Sequence, residues 1–276
     1  MPTKDKLRVA AVQMSSQDDV PRNLDRATEL IARAAAEGAE LVVLPENFAY
    51  MGSTEEGKRA VAERLDGGAS GPIADAIGGA ARRAGVHVIA GGMPERTNDP
   101  DRPYNTCAVF APDGSVAARY HKVHLFDVEV GDGQRYRESA NTSAGVEPLA
   151  VSVGGFTVGL SVCYDLRFPE LYRKLADRGA EIVVVPAAFT LATGKDHWHV
   201  LLRARAIECQ AYVVAAGQWG GHPGGRRTYG KSAIIDPWGD VIAQCSEGEG
   251  FITAPVDRAY VERVRANLPS LRHRRL

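Results

Sequence analysis

Gly38-Ala39-Glu40-Leu41-Val42-Val43-Leu44-Pro45 recurs further along the chain as Gly179-Ala180-Glu181-Ile182-Val183-Val184-Val185-Pro186. An internal repeat constrains architecture more than any single local pattern, because one structural unit is being used twice. Each copy follows a stretch rich in Ala, Leu and Arg, and reads as a helix closed by glycine, then a buried strand stopped by proline. Working outward, Tyr104-Asn105-Thr106-Cys107-Ala108-Val109-Phe110-Ala111-Pro112-Asp113-Gly114 is echoed by Tyr229-Gly230-Lys231-Ser232-Ala233-Ile234-Ile235-Asp236-Pro237-Trp238-Gly239. Both are hairpins: a strand, a Pro-x-Gly turn, a strand. Residues 86–91 answer 212–217 as apolar strands, and 7–14 and 156–162 open the two halves.

Each half therefore runs strand, helix, strand, helix, strand, hairpin, which implies an α/β protein whose sheets carry helices on one face. A four-layer α-β-β-α sandwich of two packed mixed sheets, with internal pseudo-twofold symmetry, accounts for the duplication. One continuous sheet also satisfies the pattern. The termini and residues 135–146 fall outside the repeat, and residues 1–276 read as a single domain.

The 276 residues carry 33 basic and 34 acidic side chains, a formal charge of −1. That balance gives no field suited to nucleic acid, a membrane surface or a polyanion, so the expected partner is a small molecule. The basic run at 272–275 reads as a solvated tail or a dimer-contacting arm. Residues 1–6 are polar and lead straight into a strand, unlike a signal peptide, and no stretch reaches the length of a membrane span. Four cysteines without paired spacing fit a reducing, cytoplasmic setting.

Ligands of α/β sheets gather beyond the carboxyl ends of strands, so polar residues just past apolar strands are the first suspects. Glu46 follows the strand ending at Pro45, Lys122 closes a hairpin strand, and Cys163 follows residues 157–162. The duplicate of Glu46 is Ala187, so the repeat itself needs no acid there. Cys163 opens a turn into a helix, where backbone N–H groups are expected to lower its pKa. Cys107 matches Ser232 inside an alternating strand, and Cys209 and Cys245 have no charged company; these three read as packing residues.

Taken together, Pro45-Glu46-Asn47-Phe48, His121-Lys122-Val123-His124-Leu125-Phe126-Asp127 and Ser161-Val162-Cys163-Tyr164-Asp165-Leu166-Arg167-Phe168-Pro169-Glu170 resemble the carbon-nitrogen hydrolase (nitrilase) superfamily, in that family's order. The resemblance covers residues 7–275 and places the family's Glu, Lys and Cys on Glu46, Lys122 and Cys163. His124-Leu125-Phe126-Asp127-Val128-Glu129, Arg203-Ala204-Arg205-Ala206-Ile207-Glu208 and Asp236-Pro237-Trp238-Gly239 are most similar to the branch of deaminated glutathione amidase and omega-amidase. The second acid of that branch falls on Glu138, and Gly131 stands where the branch often has proline.

The resemblance implies a thioester mechanism. Cys163 attacks an amide carbonyl, Glu46 moves the protons, and Lys122 with the Tyr164 N–H holds the oxyanion, while Glu138 orients Lys122 and the leaving group. No metal or other cofactor is called for. Substrate contacts are expected from Tyr164, Arg167, Tyr50, Ala187 and Phe189. Arg167 either grips a substrate carboxylate or pairs with Asp165 or Glu170. Substrates in prospect are the 2-oxoglutaryl amide of deaminated glutathione and 2-oxoglutaramate, with the leaving group toward Tyr50, Met51 and residues 131–137. A homodimer or a higher homo-oligomer is expected.

Four other readings compete. Gly225-Arg226-Arg227-Thr228-Tyr229-Gly230-Lys231-Ser232 fits a phosphate-loop pattern, although a hairpin strand rather than a helix follows it. His121 with His124, and His197 with His199, raise a metal-dependent amidohydrolase without the H-E-x-x-H spacing. A Cys163–His dyad and a catalytically inactive binding scaffold complete the set.

Overall fold

The computed structural model describes residues 4–65, 71–129 and 135–275. Its first half contains β1 (Lys6–Gln13), α1 (Val20–Ala36), β2 (Leu41–Leu44), α2 (Glu55–Ala60), α3 (Pro72–Ala84), β3 (His87–Glu95), β4 (Tyr104–Phe110) and β5 (Val116–His121). A small ribbon follows, β6 (Asp127–Glu129) with β7 (Arg135–Arg137). The second half contains β8 (Leu149–Val153), β9 (Phe156–Leu160), α4 (Pro169–Asp177), β10 (Ile182–Ala187), α5 (Leu191–Cys209) and β11 (Tyr212–Gly217). After these come the ribbon β12 (Trp219–Gly221) and β13 (Arg227–Tyr229), the hairpin β14 (Ala233–Ile235) and β15 (Val241–Gln244), then β16 (Gly250–Asp257) and α6 (Arg258–Asn267).

Two six-stranded sheets result, ordered β16-β1-β2-β3-β4-β5 and β15-β14-β11-β10-β9-β8. In the first, β1, β2 and β3 are parallel and the flanking pairs antiparallel; in the second, β9, β10 and β11 repeat the arrangement. These are the two mixed sheets the duplication calls for. The symmetry extends further than the sequence repeat shows, since β16 occupies beside β1 the place that β8 occupies beside β9. The C-terminal segment is therefore part of the repeat in space. It was hidden because β8 is joined to β9 by a tight Gly154-Gly155 turn, whereas β16 reaches β1 from the other end of the chain.

The layers follow from side-chain alternation. Leu7, Val9 and Ala11 of β1, with Leu41 and Val43 of β2, enter the core between the sheets, where they meet Ile182, Val184, Tyr212 and Val214. Ala10, Val12, Val42 and Leu44 point the other way, onto Leu24, Ala27, Leu30 and Ile31 of α1 and Ile73 and Ile77 of α3. A strand covered on both faces has to be apolar throughout, which is why β2 and β10 read as unbroken runs. Helix α1 begins where Asp19 accepts a hydrogen bond from Arg22 N and ends before Gly38, whose φ of +84° is matched by +82° at Gly179 after α4. Among the described residues no helix is long and apolar enough to cross a membrane.

One correction concerns the second hairpin. Residues 229–232 do not continue β14 as 104–107 continue β4, because Gly230 and Lys231 take φ of +68° and +55° and turn the chain out of the sheet. The phosphate-loop pattern lies on this detour. Its Ser232 hydroxyl is buried, accepting from Gly217 N and donating to Val12 O, and β14 rather than a helix follows.

Candidate active site

The carboxyl ends of β2, β5 and β9 bring Glu46, Lys122 and Cys163 to one cavity of about 280 Å³, and the segment after β7 adds Glu138. Lys122 Nζ donates to Glu46 Oε1 at 2.9 Å and to Glu138 Oε2 at 2.8 Å. Asn105 Nδ2 donates to the same pair, at 2.9 Å to that same Glu46 Oε1 and at 3.0 Å to Glu138 Oε1. Glu46 Oε2 accepts from Ala188 N at 2.9 Å, and Glu138 Oε2 also accepts from Phe126 N at 2.8 Å. Glu46 and Lys122 are almost wholly buried, at 3% and 2% exposure. Such desolvated charges hold only when every one has partners, and these do.

Backbone shape makes room for this cluster. The β3–β4 register slips between Ala90 and Met93, a bulge in which Gly92 takes φ +63°. A Cβ on Gly92 would lie 2.6 Å from Glu46 Cγ, and Gly92 O accepts from Asn47 N. Cys163 has φ of +47°, a costly left-handed conformation for a residue with a side chain. It opens a five-residue 3₁₀ turn, Cys163–Arg167, held from beneath by Asp165. That fully buried carboxylate accepts from Val162 N, Tyr120 Oη and His124 N, and its Oδ1 lies 2.8 Å from His124 Nδ1.

Protonation follows from the same contacts. Burial, the largest influence, would raise the Glu46 carboxyl, but the Lys122 charge together with the hydrogen bonds from Lys122 and Cys163 holds the group below the ordinary carboxylate range. Glu138 is depressed likewise, with burial again opposed by Lys122 and then by Lys58. Burial would lower the Lys122 ammonium, yet Glu138 and Glu46 keep it well above a free lysine.

Cys163 corrects the expectation of a lowered pKa. Burial and the adjoining Glu46 carboxylate push the thiol well above its ordinary value, against the pull of Lys122 and the Ala188 N–H. The 3₁₀ turn is too short to aim an extended helix dipole at the sulfur. The resting pair is a thiol hydrogen-bonded to a carboxylate.

Of the expected substrate contacts, Tyr50, Tyr164, Arg167 and Phe189 line the cavity, as do Met51 and Tyr136. Ala187 does not. Its side chain is fully buried in the apolar core, and the next two residues do the facing, Ala188 through its N–H and Phe189 through its ring. Gly131 lies outside the described residues. Arg167 pairs with neither Asp165 nor Glu170 among the described residues: Asp165 is committed to the turn, while the Arg167 guanidinium lies 5.1 Å from the Phe189 ring centre and 3.2 Å from His197 Nδ1. His121 and His124 turn to different acids, Glu95 and Asp165.

Asn105 was missed by the sequence reading, although its signal was present. The repeat places Gly230 opposite it, the same asymmetry that singled out Glu46.

The family model for carbon-nitrogen hydrolases matches residues 8–266. A deaminated glutathione amidase from Synechocystis sp. (strain PCC 6803 / GT-S) is 47% identical, over 96% of this chain and 97% of its own length. An omega-amidase from Xenopus tropicalis is 36% identical, over 98% and 95%. In three dimensions the crystal structure of Saccharomyces cerevisiae Nit3, a member of branch 10 of the nitrilase superfamily, superposes with a TM-score of 0.87 at 32% identity, covering 97% of this chain and 96% of that one. Family match, full-length relatives and sandwich agree, and the chain belongs to the carbon-nitrogen hydrolase family as an enzyme that hydrolyses non-peptide amides.

Proposed function

We propose that the enzyme cleaves deaminated glutathione to 2-oxoglutarate and Cys-Gly through a thioester on Cys163. The observation that carries this reading is the Cys163 thiol hydrogen-bonded to a buried, ionised Glu46 with the Lys122 ammonium alongside. As sulfur bonds to the amide carbon, its proton passes to Glu46 and the carbonyl electrons move to oxygen. Lys122 has one N–H beyond the two spent on carboxylates, and the Tyr164 N–H comes too early in its turn to find a partner within it. Both then serve the oxyanion. Protonated Glu46 gives its proton to the departing nitrogen as the C–N bond breaks. Glu46, ionised again, takes a proton from water, which adds to the thioester and releases 2-oxoglutarate and the thiol. Glu138 and Asn105 act as positioning residues, fixing Lys122 and Glu46.

Substrate choice draws on the 47% identical relative and on Arg167, whose guanidinium has no carboxylate partner among the described residues and faces the cavity. A bidentate grip on the α-carboxylate of a 2-oxoglutaryl group is the chemistry it offers. 2-Oxoglutaramate shares that acyl half, and the omega-amidase relative favours it as a second substrate. Purified enzyme assayed for 2-oxoglutarate release from deaminated glutathione and 2-oxoglutaramate, and for ammonia release from glutamine, asparagine, N-carbamoyl amino acids and simple nitriles, tests the assignment. Faster release from deaminated glutathione than from 2-oxoglutaramate is expected, and Arg167→Met should raise KM for both. Turnover confined to the other classes would overturn it.

The molecule acts as a homodimer in a reducing, cytoplasmic compartment in this reading. Four free cysteines support the compartment. The exposed Val200 and Ile207 of α5, beside exposed Trp238 and Ile242 of the β14–β15 hairpin, support the dimer.

A further inference from the structure

We infer that Arg226 binds the carboxylate of the leaving group, so that the site holds its substrate by an arginine at each end. This rests on the proposed 2-oxoglutaryl amide substrate and extends it to the other half of the molecule.

One wall of the cavity is a run of aromatic rings. Tyr164, next to the nucleophile, meets Phe126 at 5.0 Å between ring centres, and Phe126 meets Tyr136 at 5.1 Å. A guanidinium stands at each end: Arg167 lies 6.0 Å from the Tyr164 ring centre, and Arg226 lies 5.4 Å from that of Tyr136. Arg167 is thus one ring from Cys163 and suits the short acyl half. Arg226 stands at the far end of the wall. A Cys-Gly leaving group adds two residues beyond the scissile bond, a reach of roughly 7 Å that carries its terminal carboxylate away from sulfur along that wall.

Arg226 has the features of a ligand-binding side chain. Its Nε is shielded from solvent and has no hydrogen-bond partner among the described residues. No carboxylate pairs with it among the described residues, whereas the cavity's Arg135 pairs with Glu129, and Lys58 donates to Thr142 and faces Glu138. Arg137, also on the cavity, sits on an exposed strand position.

The loop that carries Arg226 is anchored. His222 is buried, with ring nitrogens 2.8 Å from Ser16 O and 2.7 Å from Thr228 Oγ1, and its N–H closes the turn onto Arg226 O. Gly224 takes φ +75° where a Cβ would come within 3.0 Å of Ser53 Cβ. Tyr229 N donates to Phe189 O, tying the ribbon to the wall opposite. The segment whose sequence mimics a phosphate loop is the one that holds this arginine over the pocket.

The test compares kcat/KM for deaminated glutathione and for its C-terminal amide, 2-oxoglutaryl-Cys-Gly-NH2, which differs only in the leaving-group carboxylate. A charge-assisted contact predicts a roughly tenfold to hundredfold preference for deaminated glutathione in the wild type, mostly in KM. Arg226→Met should bring that ratio toward one, and Arg226→Lys should restore part of it. Equal losses on both substrates would mean that Arg226 only braces Tyr136, and an unchanged ratio would also overturn the inference. Calorimetric binding of N-acetyl-Cys-Gly and of its C-terminal amide to Cys163→Ala protein keeps the two proposals separable. Weaker binding of the free acid on adding Arg226→Met supports Arg226 even if no 2-oxoglutaryl amide is turned over, and no difference between acid and amide contradicts it.

Discussion

At the scale of single residues, the proposed chemistry depends on which of two adjacent groups keeps a proton. Cys163 is held above, and Glu46 below, the ordinary range of its type, so the pair rests as thiol and carboxylate at neutral pH. Because the Glu46 pKa is depressed, its base form persists as pH drops past the ordinary glutamate value of about 4.3 and is lost only below it. The acid limb of kcat/KM should fall below about pH 4.3; a limb centred near pH 6 to 7 would contradict this account. Cys163→Ala should abolish turnover with an unchanged melting curve, since it removes one small buried atom group. Lys122→Ala should be equally inactive for a different reason. It strands two buried carboxylates, a loss of about 3–5 kcal/mol, visible in urea unfolding. Lys122→Met with Glu46→Gln and Glu138→Gln should recover much of that stability and none of the activity.

At the scale of elements, the sequence repeat exposed the strands and helices that are copied and concealed what only one half does. The runs 41–44 and 182–185 were legible because burial on both faces demands apolar residues throughout. Glu46 stood out because its copy is Ala187; Asn105 carried the same signal against Gly230 and was missed. Asp165 was not legible: it read as a partner for Arg167, and only the folded turn shows it satisfying Val162, Tyr120 and His124. The thiol's raised pKa was hidden for a related reason, since it depends on burial and on a carboxylate distant in sequence. The β3 bulge was equally silent, and it carries a prediction. Gly92→Ala adds a Cβ 2.6 Å from Glu46 Cγ at a φ of +63°, so it should displace Glu46. A fall of more than about tenfold in kcat, with lowered Tm, is expected by analogy with other misplaced catalytic groups, and wild-type kcat would contradict the role of the bulge.

At the scale of the whole molecule, duplication supplied the scaffold and asymmetry supplied the site. Glu46, Asn105 and Lys122 come from the first half and Cys163 from the second, so the groups of the proposed mechanism meet only when the two sheets pack. The outer apolar face on α5 and the β14–β15 turn is left over from that packing, with Trp238 at 55% exposure and Ile207 at 46%. Sedimentation should give about twice the 29.6 kDa chain mass, and Ile207→Glu should shift it toward the monomer. The central claim, covalent catalysis on Cys163, is tested most directly by rapid-quench intact-protein mass spectrometry of enzyme mixed with deaminated glutathione. The account predicts a transient gain of one 2-oxoglutaryl group, mapped to the peptide containing Cys163 and absent from Cys163→Ala. Turnover by Cys163→Ala, or an acyl group on any other residue, would contradict it.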